Sequence, residues 1–375
     1  MQIPFHKTHT TQEEINAAVE AMRSGWLTMG PKTVEFEKQF KAFIDVSEAV
    51  SVNSATAALH LALKAVGLQR GDEVIVPTNT FVATAEVVTY FDGVPVLCDI
   101  EEKTHNIDVN KIEALITPKT KAIIPVHFAG QPCDMDEIYA IAKKYDLKVI
   151  EDAAHAIPSS YKGVKIGALA ETDVTCFSFY ATKTLSTGEG GMATTSNAAY
   201  AKNMRINRLH GISRDAWDRY TTKGAWYYEI VDNGCKYNTT DINASIGMIQ
   251  LQKQDMLREK RNRIAQKYTA AFGNNSAITL PFIKDDRETS WHLYVIKIAN
   301  RDSVIEALKE AGVGCSVHFI PIHKHPYYKE RYGYKNGDYP VANSVFERSL
   351  SLPIYPDMSD DEIEYVINKV NEIVR

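Results

Sequence analysis

The sequence predicts an α/β protein: a large, mostly parallel sheet held between helices, followed by a smaller α+β segment. Three observations predict it. Short apolar strands alternate with amphipathic helices through the first two-thirds of the chain. One long helical pattern follows. A shorter strand–helix–strand pattern closes the chain. Strands separated by helices imply βαβ units, whose crossovers cover both faces of a parallel sheet.

The elements follow in order. "AVSVNS" is a strand, and "SATAALHLALKAVG" is a helix closed by Gly67. "DEVIVP" is a strand and "NTFVATAEVVTYF" is helical. "VPVLCDI", "KAIIPVHF" and "LKVIEDA" are further strands, and "DMDEIYAIAKKY" carries apolar residues at helical spacing. "TCFSFY" and "GGMATTS" are joined by a short connection, which suits adjacent strands with one antiparallel. From Thr240 to about Phe272 the pattern predicts a single long helix. Then come a strand ("WHLYVIKI"), a helix ("RDSVIEALKEAG"), a strand ("GCSVHFI") and a final capped helix ("SDDEIEYVINKVNEIV"). "HKHPYYKERYGYKNGDYP" reads as an exposed aromatic loop. The expected division is a large unit over residues 1–250 and a small one over 251–375.

Composition narrows the function classes. The 375 residues are 45% hydrophobic, enough for a large core. Net charge is −5, and no basic stripe suits a nucleic-acid partner. Cys98, Cys133, Cys176, Cys235 and Cys315 are scattered singly, a pattern that suits a reducing cytoplasm. No apolar run approaches the ~20 residues of a membrane span, and the first residues lack an apolar signal core. A cytosolic location is expected, with no membrane partner.

Three segments carry chemistry. In "SVNSATAAL", a strand ends at Asn53 and Ser54, Ala55 and Thr56 open a helix. Free N–H groups and hydroxyls there can hold a phosphate, although nearly every helix needs such a cap. In "VIEDAAHA", Glu151 and Asp152 end a buried strand, where ligands bind in parallel α/β sheets. Asp152 suits a cationic ligand or ring nitrogen, and equally a structural ion pair or cap. His155 is placed to touch the same ligand. In "TCFSFYATKTLSTGEGGM", Lys183 sits between an apolar strand and Gly188, Gly190 and Gly191. A lysine there either pairs with a carboxylate or condenses with an aldehyde. In this order the parts are those a pyridoxal phosphate (PLP) site needs: a phosphate cradle, a carboxylate for the pyridine nitrogen and a Schiff-base lysine.

These segments, with "GDEVIVPTNTFVATAE", "PVHFAG", "YNTTDINASIG" and "SVHF", resemble the DegT/DnrJ/EryC1/StrS family of PLP-dependent nucleotide-sugar aminotransferases over essentially the whole chain. The resemblance implies fold type I, with a seven-stranded sheet in the large domain. Lys183 matches the lysine that holds the cofactor and shuttles a proton. Asp152 matches the partner of the pyridine nitrogen, His155 a position near the ring hydroxyl, and Phe81 the aromatic stacked on the ring. Taken alone, Phe81 reads as core. Ser54, Ala55, Thr56 and Ser178 match phosphate ligands. Asn238 matches a phosphate ligand from the neighbouring subunit, which implies a homodimer with a shared site. His318 matches a substrate-side histidine that also enters across the dimer. Tyr180 stands where close relatives often carry histidine. With Trp26, it is expected to contact substrate. The "VHFAG" form is similar to the 4-aminotransferases, implying a nucleotide-linked 4-keto sugar as acceptor, L-glutamate as donor and a role in surface glycan or lipopolysaccharide synthesis. A 3-amino sugar or a cyclic inosose-type ketone is the alternative.

Three other readings fit less well. His318, His323 and His325 lie close together, but a metal site would want fixed ligands at helical or hairpin spacing, and a proline-broken loop intervenes. A regulator on this fold would lose Lys183 or add a nucleic-acid-binding domain. An NAD enzyme would need GxGxxG after the first strand, and "NSATAA" is not that.

Overall fold

The computed structural model describes residues 1–213 and 227–375. Its strands run in order as β1 (Glu48–Val52), β2 (Glu73–Pro77), β3 (Val94–Cys98), β4 (Thr120–Ile123), β5 (Lys148–Asp152), the short β6 (Ser160–Tyr161) and β7 (Val164–Lys165), then β8 (Val174–Ser178) and β9 (Gly191–Thr195). Seven of them form one sheet in the order β1-β9-β8-β5-β4-β2-β3. The pairs β2–β3, β2–β4, β4–β5 and β5–β8 are parallel, and β9 is antiparallel to both neighbours. The mostly parallel sheet and its antiparallel strand are as the sequence predicts.

Strand period 2 divides the core. Ile75, Val149 and Phe177 face one apolar cluster, while Val74, Val76, Ile150 and Cys176 face the other. Strands buried on both faces read as continuous apolar runs, which is why they were legible. A third cluster gathers the helices Gln254–Phe272 and Asp360–Ile373 around the strands Tyr294–Ile298 and Ser349–Leu352. Ile3, from the start of the chain, belongs to it and bridges to Val313.

The helix Asp241–Gln252 ties the start of the chain to the sheet. Buried Asp241 accepts from the backbone N–H groups of Gly30 (2.8 Å), Thr33 (2.9 Å) and Lys32 (3.1 Å) and from the Thr33 hydroxyl (2.7 Å). It thereby caps the helix Pro31–Ile44, whose own preceding residue, Gly30, has no side chain to do so.

Three expectations are corrected. The single helix over 240–272 is two helices, Asp241–Gln252 and Gln254–Phe272, meeting at Lys253. The Lys253 amine binds Glu14 (2.9 and 3.0 Å), Glu13 (2.6 Å) and the Thr11 hydroxyl (2.7 Å), pinning the junction to the helix Gln12–Arg23. "GCSVHFI" forms no ladder: Ser316 makes one bridge to Ser351, and the chain then turns toward the cavity described below. The exposed aromatic loop is partly helical, over Pro326–Tyr332. Tyr328 is buried, and Tyr332, Tyr334 and Tyr339 pack beside it on the second apolar cluster.

Candidate active site

The parallel strands end on one side of the sheet, and a cavity of about 470 Å³ opens there. That size is typical of a small-molecule site. Its lining comes from the residues just past β1, β5 and β8, where parallel α/β sheets place ligands.

Ser54 caps the helix Ala55–Ala65, its hydroxyl accepting from Ala57 N–H at 3.1 Å. The first N–H groups of a helix lack intrahelical acceptors. Ser54, Ala55 and Thr56 therefore present an anion-binding edge to the cavity, and Ser178 lines it from the end of β8. Gly190 and Gly191 close this side. A Cβ on Gly191 would lie 2.6 Å from the Ser54 carbonyl, and one on Gly190 2.4 Å from Thr187 Oγ1, so only glycine allows this approach.

Asp152 ends β5 and is 5% exposed. Its Oδ2 accepts from Thr84 Oγ1 (2.7 Å) and its Oδ1 from Ala154 N–H (3.1 Å). Burial pushes its carboxyl above the ordinary range, against the opposing pull of these donors and of Lys183. With one donor on each oxygen, the carboxylate keeps acceptor capacity for a cation in the cavity. Lys183 lines the same cavity, and burial lowers its amine to about 8, the Asp152 charge acting the other way.

His155 accepts at Nδ1 from Ala129 N–H (3.2 Å), which leaves Nε2 to carry the proton of the neutral ring. Burial, then the Lys183 charge, holds its pKa well below the usual range. His318 lines the cavity with Nδ1 2.9 Å from Ser351 Oγ, and burial lowers it to about 4. The resemblance implies entry of this histidine across a dimer, yet it already lines the cavity of its own chain.

Phe81 also lines the cavity and is 59% exposed, so the reading of it as core is overturned. Tyr180 stands on the cavity wall. Trp26 and Asn238 are not among the lining residues. Trp26 Nε1 donates to Met29 O at 3.1 Å. Asn238 Nδ2 donates to Thr239 O at 3.0 Å, and its buried Oδ1 has no partner among the described residues. The three clustered histidines diverge: His323 meets Thr78 Oγ1 (2.8 Å) and Asn343 Oδ1 (3.0 Å), and His325 Nε2 meets Ile320 O (3.2 Å).

Sequence reasoning missed Thr84, His292 and Phe319. Thr84 was within reach, three positions past Phe81 in the first turn of its helix. Phe319 adjoins His318 and contacts Phe81, Phe128 and His155, with ring centroids about 6 Å apart. His292 packs 4.3 Å from His155, and nothing local in "SWHLYV" signals that a distant strand start returns here.

The lining fits PLP on its own chemistry. An anion edge, a buried carboxylate with acceptor capacity to spare, and an amine whose pKa burial lowers to about 8 face one space. Comparison with known proteins agrees. The DegT/DnrJ/EryC1/StrS aminotransferase family model matches residues 8–371, and the chain belongs to that family. It is 52% identical over 369 residues to the uncharacterized protein MJ1066 of Methanocaldococcus jannaschii, covering 97% of this chain and 95% of that one. It is 48% identical over 380 residues to the spore coat polysaccharide biosynthesis protein SpsC of Bacillus subtilis, covering 100% and 97%. The PLP form of Spr1654 from Streptococcus pneumoniae superposes with a TM-score of 0.93 at 35% identity, covering 100% and 99%. The protein is a PLP-dependent transaminase of fold type I. No helix among the described residues is long and apolar enough to cross a membrane.

Proposed function

We propose that the protein transfers the amino group of L-glutamate to C4 of a nucleotide-linked 4-keto sugar, for synthesis of a surface glycan. One observation carries the reading: Lys183, Asp152 and the helix start at Ser54–Thr56 face a single cavity. The sugar assignment is supported by the likeness to SpsC and by the polar wall of Tyr180, Thr182 and His318.

Bound PLP supplies an electron sink for carbanion chemistry at the donor's Cα. The chain's own residues do the rest. Ser54, Ala55, Thr56 and Ser178 bind the phosphate. Asp152, fixed by Thr84 and Ala154, holds the pyridine nitrogen in its protonated form. Phe81 would pack against the ring, and neutral His155 would offer its Nε2–H as a donor to it. Lys183 Nζ would move the proton at the donor's Cα, taking it up as a base and giving it back as an acid. The same amine delivers the proton to the sugar carbon in the second half-reaction. Tyr180 and His318 contact the sugar from the cavity wall, whereas Trp26, expected from the sequence to do so, lies outside that wall with its indole N–H on Met29 O. The five cysteines are all free thiols, in keeping with action in the cytoplasm.

The assay starts from enzyme converted to its amine form with glutamate. UDP-, dTDP- and GDP-linked 4-keto sugars are added singly, and the visible cofactor band and the product are recorded. Return of the band with a 4-amino product is expected for one nucleotide. A 3-amino product, or return only with a cyclic ketone, would replace this substrate assignment.

We also propose a homodimer in which Asn238 reaches the partner's phosphate. Its unpartnered Oδ1 and its place outside its own chain's cavity support this. Mixing inactive Lys183→Ala with Asn238→Ala subunits is expected to form heterodimers with one intact site, recovering up to about a quarter of the wild-type rate on random reassociation. No recovery, in a mixture shown to exchange subunits, would contradict the shared site.

A further inference from the structure

Arg261, on the helix Gln254–Phe272, is 1% exposed. Its Nη1 donates to the carbonyls of Trp291 (3.3 Å) and Ile354 (2.8 Å), and its Nε has no partner. Burial alone lowers its pKa, to about 10, and no carboxylate among the described residues acts to restore it. A buried guanidinium without a counter-charge is costly. Its neighbours show where the charge is felt, since it bears on His6 and His292.

Those two residues lie on a recess of about 20 Å³, with Thr182, His318 and Ile354. Thr182, His292 and His318 also line the main cavity, so the recess lies directly against it. Among the described residues, no acidic residue lines the recess. His292 is 6% exposed, and its Nδ1 has no partner. A space of this size takes one water-sized group, hence the end of a ligand whose body lies in the larger cavity. A nucleotide diphosphate is too large for it. The cofactor phosphate is provided for at the helix start beside Ser54.

Resting on the transaminase reading above, we propose that this recess, backed by the Arg261 charge, holds a carboxylate of the amino-acid donor. The carboxylate meets Thr182, His292 and His318, and Arg261 acts on it through the field. The donor's amino group then lies toward Lys183, which lines the main cavity next in sequence to Thr182 of the shared wall.

The test uses the PLP-loaded enzyme and glutarate, a dicarboxylate without an amine, followed by calorimetry. Two variants are compared with wild type. Arg261→Gln removes the charge but keeps an amide donor for the Ile354 carbonyl. His6→Phe narrows the recess and leaves Arg261 packed, so it serves even where the first variant does not fold. Each is expected to raise the glutarate dissociation constant about tenfold or more. The half-saturating glutamate in single-turnover bleaching of the cofactor band should rise in parallel. The bleaching rate at saturation should stay within about twofold, a split that marks lost donor binding rather than a damaged site. Unchanged glutarate binding in the folded variants would overturn the proposal. Failure of glutamate to bleach the wild-type enzyme would instead overturn the transaminase reading, whatever the variants do.

Discussion

Replacing Lys183 with alanine is expected to lower steady-state turnover by about 10³-fold or more, toward the upper end of what a positioned acid–base group contributes. The size of the effect follows from the amine's surroundings. An ordinary lysine with a pKa of 10.5 is about 0.3% neutral at pH 8. Burial brings the Lys183 amine to about 8, so half is neutral there and ready to take a proton. Among the described residues, no second lysine lines the cavity to substitute for it. The phosphate edge at Ser54–Thr56 and the Asp152 carboxylate remain in the variant. It should therefore still bind PLP without a covalent link, at a dissociation constant measurable by equilibrium dialysis. Sustained turnover by Lys183→Ala would remove the residue from the proposed role.

Asp152→Asn should lower kcat by about 10²- to 10⁴-fold with the fold intact, since the substitution preserves shape. The amide cannot hold a proton on the pyridine nitrogen. It also offers one acceptor oxygen where the carboxylate offers two, so with the oxygen kept on the Ala154 N–H the Thr84 hydroxyl must turn to accept from the amide. The cofactor should bind more weakly but remain in the site. The checks are kcat, the cofactor's absorbance spectrum and the melting temperature of the apoenzyme. Near-normal kcat would show that the carboxylate does not serve the ring nitrogen.

The strands were legible because parallel strands buried on both faces leave nearly unbroken apolar runs, as in "DEVIVP" and "KVIE". The site residues at strand ends were legible for the same reason: Asp152 and Ser178 follow such runs at once. What was not legible depends on contacts between distant segments. Lys253 breaks a helical pattern because Glu13 and Glu14, some 240 positions earlier, reach its amine. "GCSVHFI" has strand composition, yet Gly314 N–H pairs with Ile3 O instead of a sheet neighbour (2.8 Å). His292 comes to the cavity because its own N–H donates to Ala129 O at 3.1 Å, while Ala129 N–H donates to His155. One residue, Ala129, thus holds both histidines through its N–H and its C=O, and no local pattern encodes that. Phe81 misled in isolation because an aromatic beside an apolar helix is usually core, whereas here it is left exposed at a ligand cavity.

The account centres on one atom, Lys183 Nζ, as the attachment point of the cofactor. Borohydride reduction of the PLP-loaded enzyme, followed by proteolysis and mass spectrometry, reads that attachment directly. The account predicts the reduced phosphopyridoxyl group on Lys183 in the peptide containing "ATKTLSTGEGG", at near-stoichiometric yield. A modification spread over surface lysines, or carried by any lysine other than Lys183, would contradict it.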